Sequence, residues 1–303
     1  MLAPSEVGYD LTLYAQGWLE ERLRLTRALA RAVAEEPKVK TVHDVRVACR
    51  RLREAIEFFR GVPEVPPLSD LDRAARSLAR SVGRLRELDV ARKRLAQLEL
   101  PGSAALHTQE KLVRALKKRR RRAEEKHGKR IAKRAAALEA LIDESLPLYD
   151  KPRSVEPDRA RESHLMAFVE ARVAEKRALV ETLFDNLGPE GRSRSSGADR
   201  LHAVRVAVKH WRYATEIARA VMPRVLYRPM ASRLRSLQEV GGKGQDLVDL
   251  ERIVDRELER LGVSARARRP LLSQIRSSRR AAAGEFLNAL GSRLPAAQAA
   301  NAG

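Results

Sequence analysis

The chain has 303 residues, with 61 Lys and Arg against 40 Asp and Glu, a formal net charge of +21 and a sequence pI of about 10.9. A hydrophobic fraction of 44% supports a packed core and excludes global disorder, while the single cysteine, Cys49, excludes disulfide, zinc-finger and iron–sulfur frameworks and fits a reducing compartment. No apolar run reaches the ~18 residues of a membrane span and Met1–Asp10 shows no basic leader region, so the expectation is a cytoplasmic protein with an anionic partner: nucleic acid, an anionic membrane surface or a polyphosphate.

The composition is rich in Ala, Leu, Arg and Glu, and Pro and Gly gather in a few places, so helices are expected almost throughout. In chain order they are 10–34, 42–60, a long or interrupted helix over 69–98, and a very long helix over 104–145. A Pro-containing linker follows over 146–162, then helices over 163–187, 199–222, 229–261 and 265–290, and a flexible tail over 294–303. This is an all-α reading with four helices in each half, the first half spanning 5–145 and the second 163–293.

The segment 42–60 divides into two faces. Val45, Cys49, Leu52, Ile56 and Phe59 form an apolar stripe, and His43, Arg46, Arg50 and Arg53 form a basic row beside it. The same pattern recurs 159 residues later, where His202, Arg205, Lys209 and Arg212 match His43, Arg46, Arg50 and Arg53 in order. At the same offset Leu78 matches Leu237, Gly83 matches Gly242, and Glu87-Leu88 matches Asp246-Leu247. Lys117, Arg120 and Arg121 match Arg276, Arg279 and Arg280. Three blocks in register with no net insertion point to a duplication, and hence to two four-helix bundles with long helices related by a pseudo-twofold axis. A merely solvated face needs no particular register of charge. A register kept in both halves suggests that the two rows serve one shared surface.

The motif His43-x-x-Arg46-Val47-x-x-Arg50-Arg51-Leu52-Arg53, its copy His202-x-x-Arg205-Val206-x-x-Lys209-x-x-Arg212-Tyr213, and Val82-Gly83-x-x-Arg86-Glu87-Leu88-Asp89-Val90 resemble the CHAD family, the conserved-histidine α-helical domain. The resemblance covers roughly residues 5 to 293. It implies an all-helical fold of two four-helix bundles, a basic cleft or pore, binding of inorganic polyphosphate and location on polyphosphate granules. Some members of that family carry a CYTH triphosphatase domain, whose Glu-x-Glu-x-Lys signature is absent from this sequence. Three departures stand out: Glu87 where the family more often has Asp, a Gly241-Gly242-Lys243-Gly244 run that predicts a flexible loop in the second half, and His210 in place of Arg51.

Inorganic polyphosphate is a linear polyanion without bases, so a receptor for it needs dense donors and positive charge rather than base readers. Arg suits the task through its bidentate guanidinium and Lys as a mobile point charge. The candidate ligand-binding residues are therefore His43, Arg46, Arg50, Arg53, Lys117, Arg120 and Arg121 in the first half. In the second half they are His202, Arg205, Lys209, Arg212, Tyr213 (through its hydroxyl), Arg276, Arg279 and Arg280. Neither a cofactor nor a metal is expected, and the absence of a Walker loop, a nucleophile elbow and a metal-ligand cluster speaks against an enzyme. Nonspecific nucleic-acid binding, as in a nucleoid-type protein, is the first alternative, and an enzyme acting on phosphate esters is the second. Between Leu106 and Arg134 there are 13 Lys and Arg against 3 Asp and Glu, although aromatic residues make up only 4% of the chain and no reader motif is present.

Overall fold

The structure is a computed structural model that describes residues 10–66, 68–100, 102–149, 159–188 and 198–293. Among these residues there are nine α-helices and no strand: α1 (Leu11–Glu35), α2 (Val39–Phe58), α3 (Ser69–Ser81), α4 (Gly83–Ala96), α5 (Ser103–Ser145), α6 (Arg159–Asp185), α7 (Ala198–Ile217), α8 (Arg224–Arg260) and α9 (Ala265–Arg293). The all-α expectation holds. No helix of the described residues is long and apolar enough to cross a membrane.

Local chemistry sets the element ends. The Asp10 carboxylate accepts from the backbone N–H groups of Thr12 (2.8 Å) and Leu13 (3.1 Å), satisfying two of the donors that a helix start leaves open. Gly61, at φ +84°, supplies the left-handed turn after α2. Asp70 and Asp72 stand in the first turn of α3, where negative charge meets the positive end of the helix dipole. Of the long or interrupted helix expected over 69–98, the interrupted form is found: Val82 closes α3.

The repeat maps onto these elements. Shifted by 159, the bounds of α2 become those of α7, and α3 with α4 correspond to α8. One expectation fails here. The Gly241–Gly244 run is no loop: it lies inside the unbroken α8. A side chain at Gly241 would meet the Phe286 ring at 2.9 Å and the Arg205 stem at 3.1 Å, so the glycine is where α7, α8 and α9 close on one another. Also, α8 starts at Arg224, five residues before the expected Pro229, which is carried inside the helix.

The described residues cluster into two compact units. The first takes in the described parts of Met1–Asp89, Lys118–Val173 and Glu216–Pro223; the second takes in those of Val90–Lys117, Ala174–Thr215 and Arg224–Gly303. These units do not follow the 5–145 and 163–293 halves read from the repeat, because α4, α5, α6 and, at its last turn, α7 each divide between them. At 1.5 Å per residue the 43 residues of α5 extend about 65 Å, more than one small bundle needs. Of the expected linker 146–162, Leu146–Tyr149 forms a 3-10 turn with Leu146 and Tyr149 buried, and α6 begins at Arg159. Residues 150–158 and the tail 294–303 lie outside the described residues.

In the first unit α1 packs on α2, and α2 on α3. Leu19, Leu23, Val45, Cys49, Leu52 and Leu78 are fully buried there, and Phe58 meets Phe59 and Phe168 edge to face at 5.1 and 6.0 Å. Burial pushes the Cys49 thiol up to about 12, so it acts as a small apolar core residue. In the second unit α8 and α9 form the main helix pair, burying Leu250, Val254, Leu258, Ile275, Phe286 and Leu290.

Candidate functional site

The apolar stripe of α2 faces the core, which fixes the azimuth of the basic row next to it. Arg46, Arg50 and Arg53 thereby reach the flank of α3, where Arg76 and Arg80 stand one turn apart. These five arginines and Ala79 line a cavity of about 260 Å³. The Arg46 Nη1 donates to the Ala79 carbonyl at 2.6 Å, holding the guanidinium across the α2–α3 groove. The Arg53 Nε donates to Asp72 Oδ1 at 2.8 Å, and the Arg76 Nη2 donates to Asp72 Oδ2 at 3.2 Å. One carboxylate thus orients two of the guanidiniums and leaves a cavity of five cations with one adjacent anion.

Five like charges around one space repel each other. Burial, together with Arg50 and Arg86 nearby, lowers the Arg46 pKa from its ordinary value. Such a cavity is complementary to an anion that can accept several bidentate donors at once. His43 sits one turn before Arg46. Partial burial lowers its pKa, and Arg86, Arg50 and Arg46 add to this, while the neighbouring Asp44 acts in the opposite direction. The imidazole is therefore neutral at neutral pH and can donate a hydrogen bond without adding charge.

The second row is built differently. The His202 Nδ1 lies 2.6 Å from Gln245 Oε1, and the Arg205 Nη2 lies 3.4 Å from the same imidazole nitrogen. The Arg212 Nε donates to Gln238 Oε1, and its guanidinium stacks 4.5 Å from the Tyr213 ring centre. Tyr213, expected to offer its hydroxyl to a ligand, is only 3% exposed and serves as the platform for Arg212 instead. Lys209 is half-buried on the same helix.

The later basic cluster is largely spent on ion pairs. Arg120 is mostly buried; its Nε lies 3.3 Å from Asp89 Oδ1, and it also donates to Glu124 and to the Pro37 carbonyl. Arg120 is thus a structural residue, its guanidinium committed by burial to three internal acceptors. Arg121 is exposed and pairs with Glu125 at 3.3 Å. The Arg276 Nε and Arg279 Nη1 converge on the two oxygens of Glu251 at 2.6 and 2.9 Å. Lys117 and Arg280 are exposed. Asp246 is held by the Arg94 Nε and Nη2 at 3.1 and 2.8 Å.

The sequence reading missed Arg76 and Arg80. Their signal was available: Arg73, Arg76 and Arg80 fall at i, i+3 and i+7 opposite buried Leu71, Ala75 and Leu78. Arg76 keeps a cation at its counterpart Arg235, but Arg73 and Arg80 correspond to Ser232 and Glu239, so the row as a whole is not repeated in the second half.

Comparison with known proteins accords with this architecture. The crystal structure of the CHAD domain from the plant Ricinus communis matches with a TM-score of 0.59 at 22% identity, over 94% of this chain and 89% of that one. PptA from Streptomyces chartreusis matches with a TM-score of 0.64 at 16% identity, over 93% of this chain and 99% of that one. No curated protein matches the sequence. The CHAD domain model matches residues 18–255, and the chain belongs to the CHAD domain family.

Proposed function

We propose that this protein binds inorganic polyphosphate, and that the cavity between α2 and α3 grips the chain without cleaving it. The observation that carries this reading is the convergence of Arg46, Arg50, Arg53, Arg76 and Arg80 on one space of about 260 Å³. A run of phosphoryl groups offers a fork of oxygens to each guanidinium and relieves the repulsion among them. The resemblance to CHAD proteins, a family known for polyphosphate binding, supports the same ligand. His43, one turn before Arg46 on α2, would extend the contacts along a longer chain, and recruitment of the protein to cytoplasmic polyphosphate granules belongs to the same proposal.

The test is a binding titration with long-chain polyphosphate, comparing the native protein with Arg50→Ala/Arg76→Ala/Arg80→Ala. Hydrogen bonds to charged groups contribute about 1.5–3 kcal/mol each, so the triple variant should bind at least a hundredfold more weakly with unchanged helical circular dichroism. Undiminished affinity would overturn the proposal. The exposed cations of α5, with Lys117, Lys118, Arg121 and Arg122 all at the surface, favour nonspecific nucleic-acid contact as a second reading. Competition with DNA of equal charge separates the two, since a specific polyphosphate receptor resists displacement by DNA.

A further inference from the structure

The cavity and its repeat counterpart can be compared position by position. α7 and α8 keep the register of α2 and α3–α4. Arg46 donates to the carbonyl of Ala79 and lies 3.4 Å from a side chain built at Gly83. Its counterpart Arg205 closes against Gly241, one residue from the Gly83 equivalent. His43 faces Arg86, and its counterpart His202 meets Gln245, which is the Arg86 position shifted by 159. With the geometry shared, the lining residues differ. Arg46, Arg50, Arg53 and Arg76 become Arg205, Lys209, Arg212 and Arg235, but Ala79 becomes Gln238 and Arg80 becomes Glu239.

Both changes act against an anion. Ala79 lines the first cavity with no more than a methyl group. Gln238 puts a carboxamide at that point and occupies the Arg212 guanidinium with its own Oε1. Glu239 reverses the charge of one of the five cationic positions, so the second set is four cations and one carboxylate, while the first has five cations on the lining with Asp72, whose counterpart is Ala231, beside Arg53 and Arg76. A carboxylate facing a phosphate costs affinity through repulsion and an unpaired anion.

We infer that the two repeats are unequal. The α2–α3 cavity is the specific oligophosphate pocket, and its counterpart on α7–α8 is obstructed by Gln238 and made repulsive by Glu239. The inference rests on the polyphosphate reading and adds to it which repeat grips the anion and which residues disable the other. A cavity of about 260 Å³ falls just below the range of ligand pockets, ~300–1,000 Å³. It therefore suits a short oligophosphate or one end of a chain, and tripolyphosphate is the natural probe.

Calorimetric titration with tripolyphosphate should show one site in the native protein. Arg50→Ala/Arg76→Ala should weaken it at least tenfold, and Lys209→Ala/Arg235→Ala should change it less than twofold. On the Arg50→Ala/Arg76→Ala background, adding Gln238→Ala/Glu239→Arg should restore a tripolyphosphate site. Two equal sites in the native protein, or binding lost with Lys209→Ala/Arg235→Ala and kept with Arg50→Ala/Arg76→Ala, would overturn the inference. A silent fourfold variant of native helicity would overturn the role of Gln238 and Glu239. Binding of long-chain polyphosphate without tripolyphosphate would sink the pocket inference and leave the polyphosphate reading standing; binding of neither would sink both.

Discussion

Arg46 and Arg120 are both arginines in a matched register, and their environments separate them. Arg120 is a strut: its partner Asp89 is 5% exposed, and removing one member of a buried pair strands the other. Arg120→Ala should cost about 3 kcal/mol in denaturant unfolding while leaving anion affinity per folded molecule unchanged. Loss of binding at native stability would return Arg120 to the ligand site. His43 gives a second residue-scale prediction. Its folded pKa lies below the ordinary 6.5, so the unfolded chain takes up a proton in a pH range where the folded chain does not. Stability from this group is therefore intact above pH ~6.5 and falls as pH drops toward the folded pKa. The melting temperature of His43→Gln should decline less than that of the native protein across that window. A bound polyanion offsets the repulsion from Arg86, Arg50 and Arg46, so binding should also draw a proton onto His43, measurable as buffer-dependent calorimetric heat.

At the scale of helices, Gly241 and Gly242 are neighbours in α8 with opposite expected responses. Alanine is favoured over glycine in a helix interior by about 1 kcal/mol. At Gly242 a Cβ meets nothing within 4 Å, so Gly242→Ala should raise the melting temperature. At Gly241 the Cβ would lie 2.9 Å from the Phe286 ring, and overpacking of about 1–3 kcal/mol outweighs the propensity gain. Gly241→Ala should therefore lower it. A rise in both variants would mean that Phe286 yields freely. These two glycines also mark the limit of what was legible. Helix periodicity reports on a contiguous stripe, so the edges of α1, α2 and α5 were readable to within a few residues. A Gly-rich run signals backbone freedom in one context and close helix approach in another, and only the partner residues, Phe286 and Arg205, decide which. The α2 row was readable because its apolar stripe sets its direction. Arg76 and Arg80 became part of the site through packing of α3 against α2, which periodicity in one segment does not report.

For the whole molecule, the net charge of +21 raises the question of how much of any polyanion affinity is diffuse field and how much is the cavity. Salt dependence separates them. For single strands the slope of log K against log salt is about −0.7 per neutralised phosphate. If tripolyphosphate is held by the five cavity arginines, its slope is limited by that number and by the charge the ligand brings, to about −3.5 at most. If long-chain polyphosphate also engages the exposed cations of α5, it should show a steeper slope under the same conditions. Arg50→Ala/Arg76→Ala should then flatten the long-chain slope by about 1.4 while lowering affinity across the whole salt range. Substituting the exposed Lys118 and Arg122 instead should flatten it by a similar amount and leave tripolyphosphate untouched. Equal effects of both pairs on tripolyphosphate would mean that total charge, and not the α2–α3 cavity, decides the binding. In that case the chain would be a nonspecific polycation, with no preference between polyphosphate and DNA.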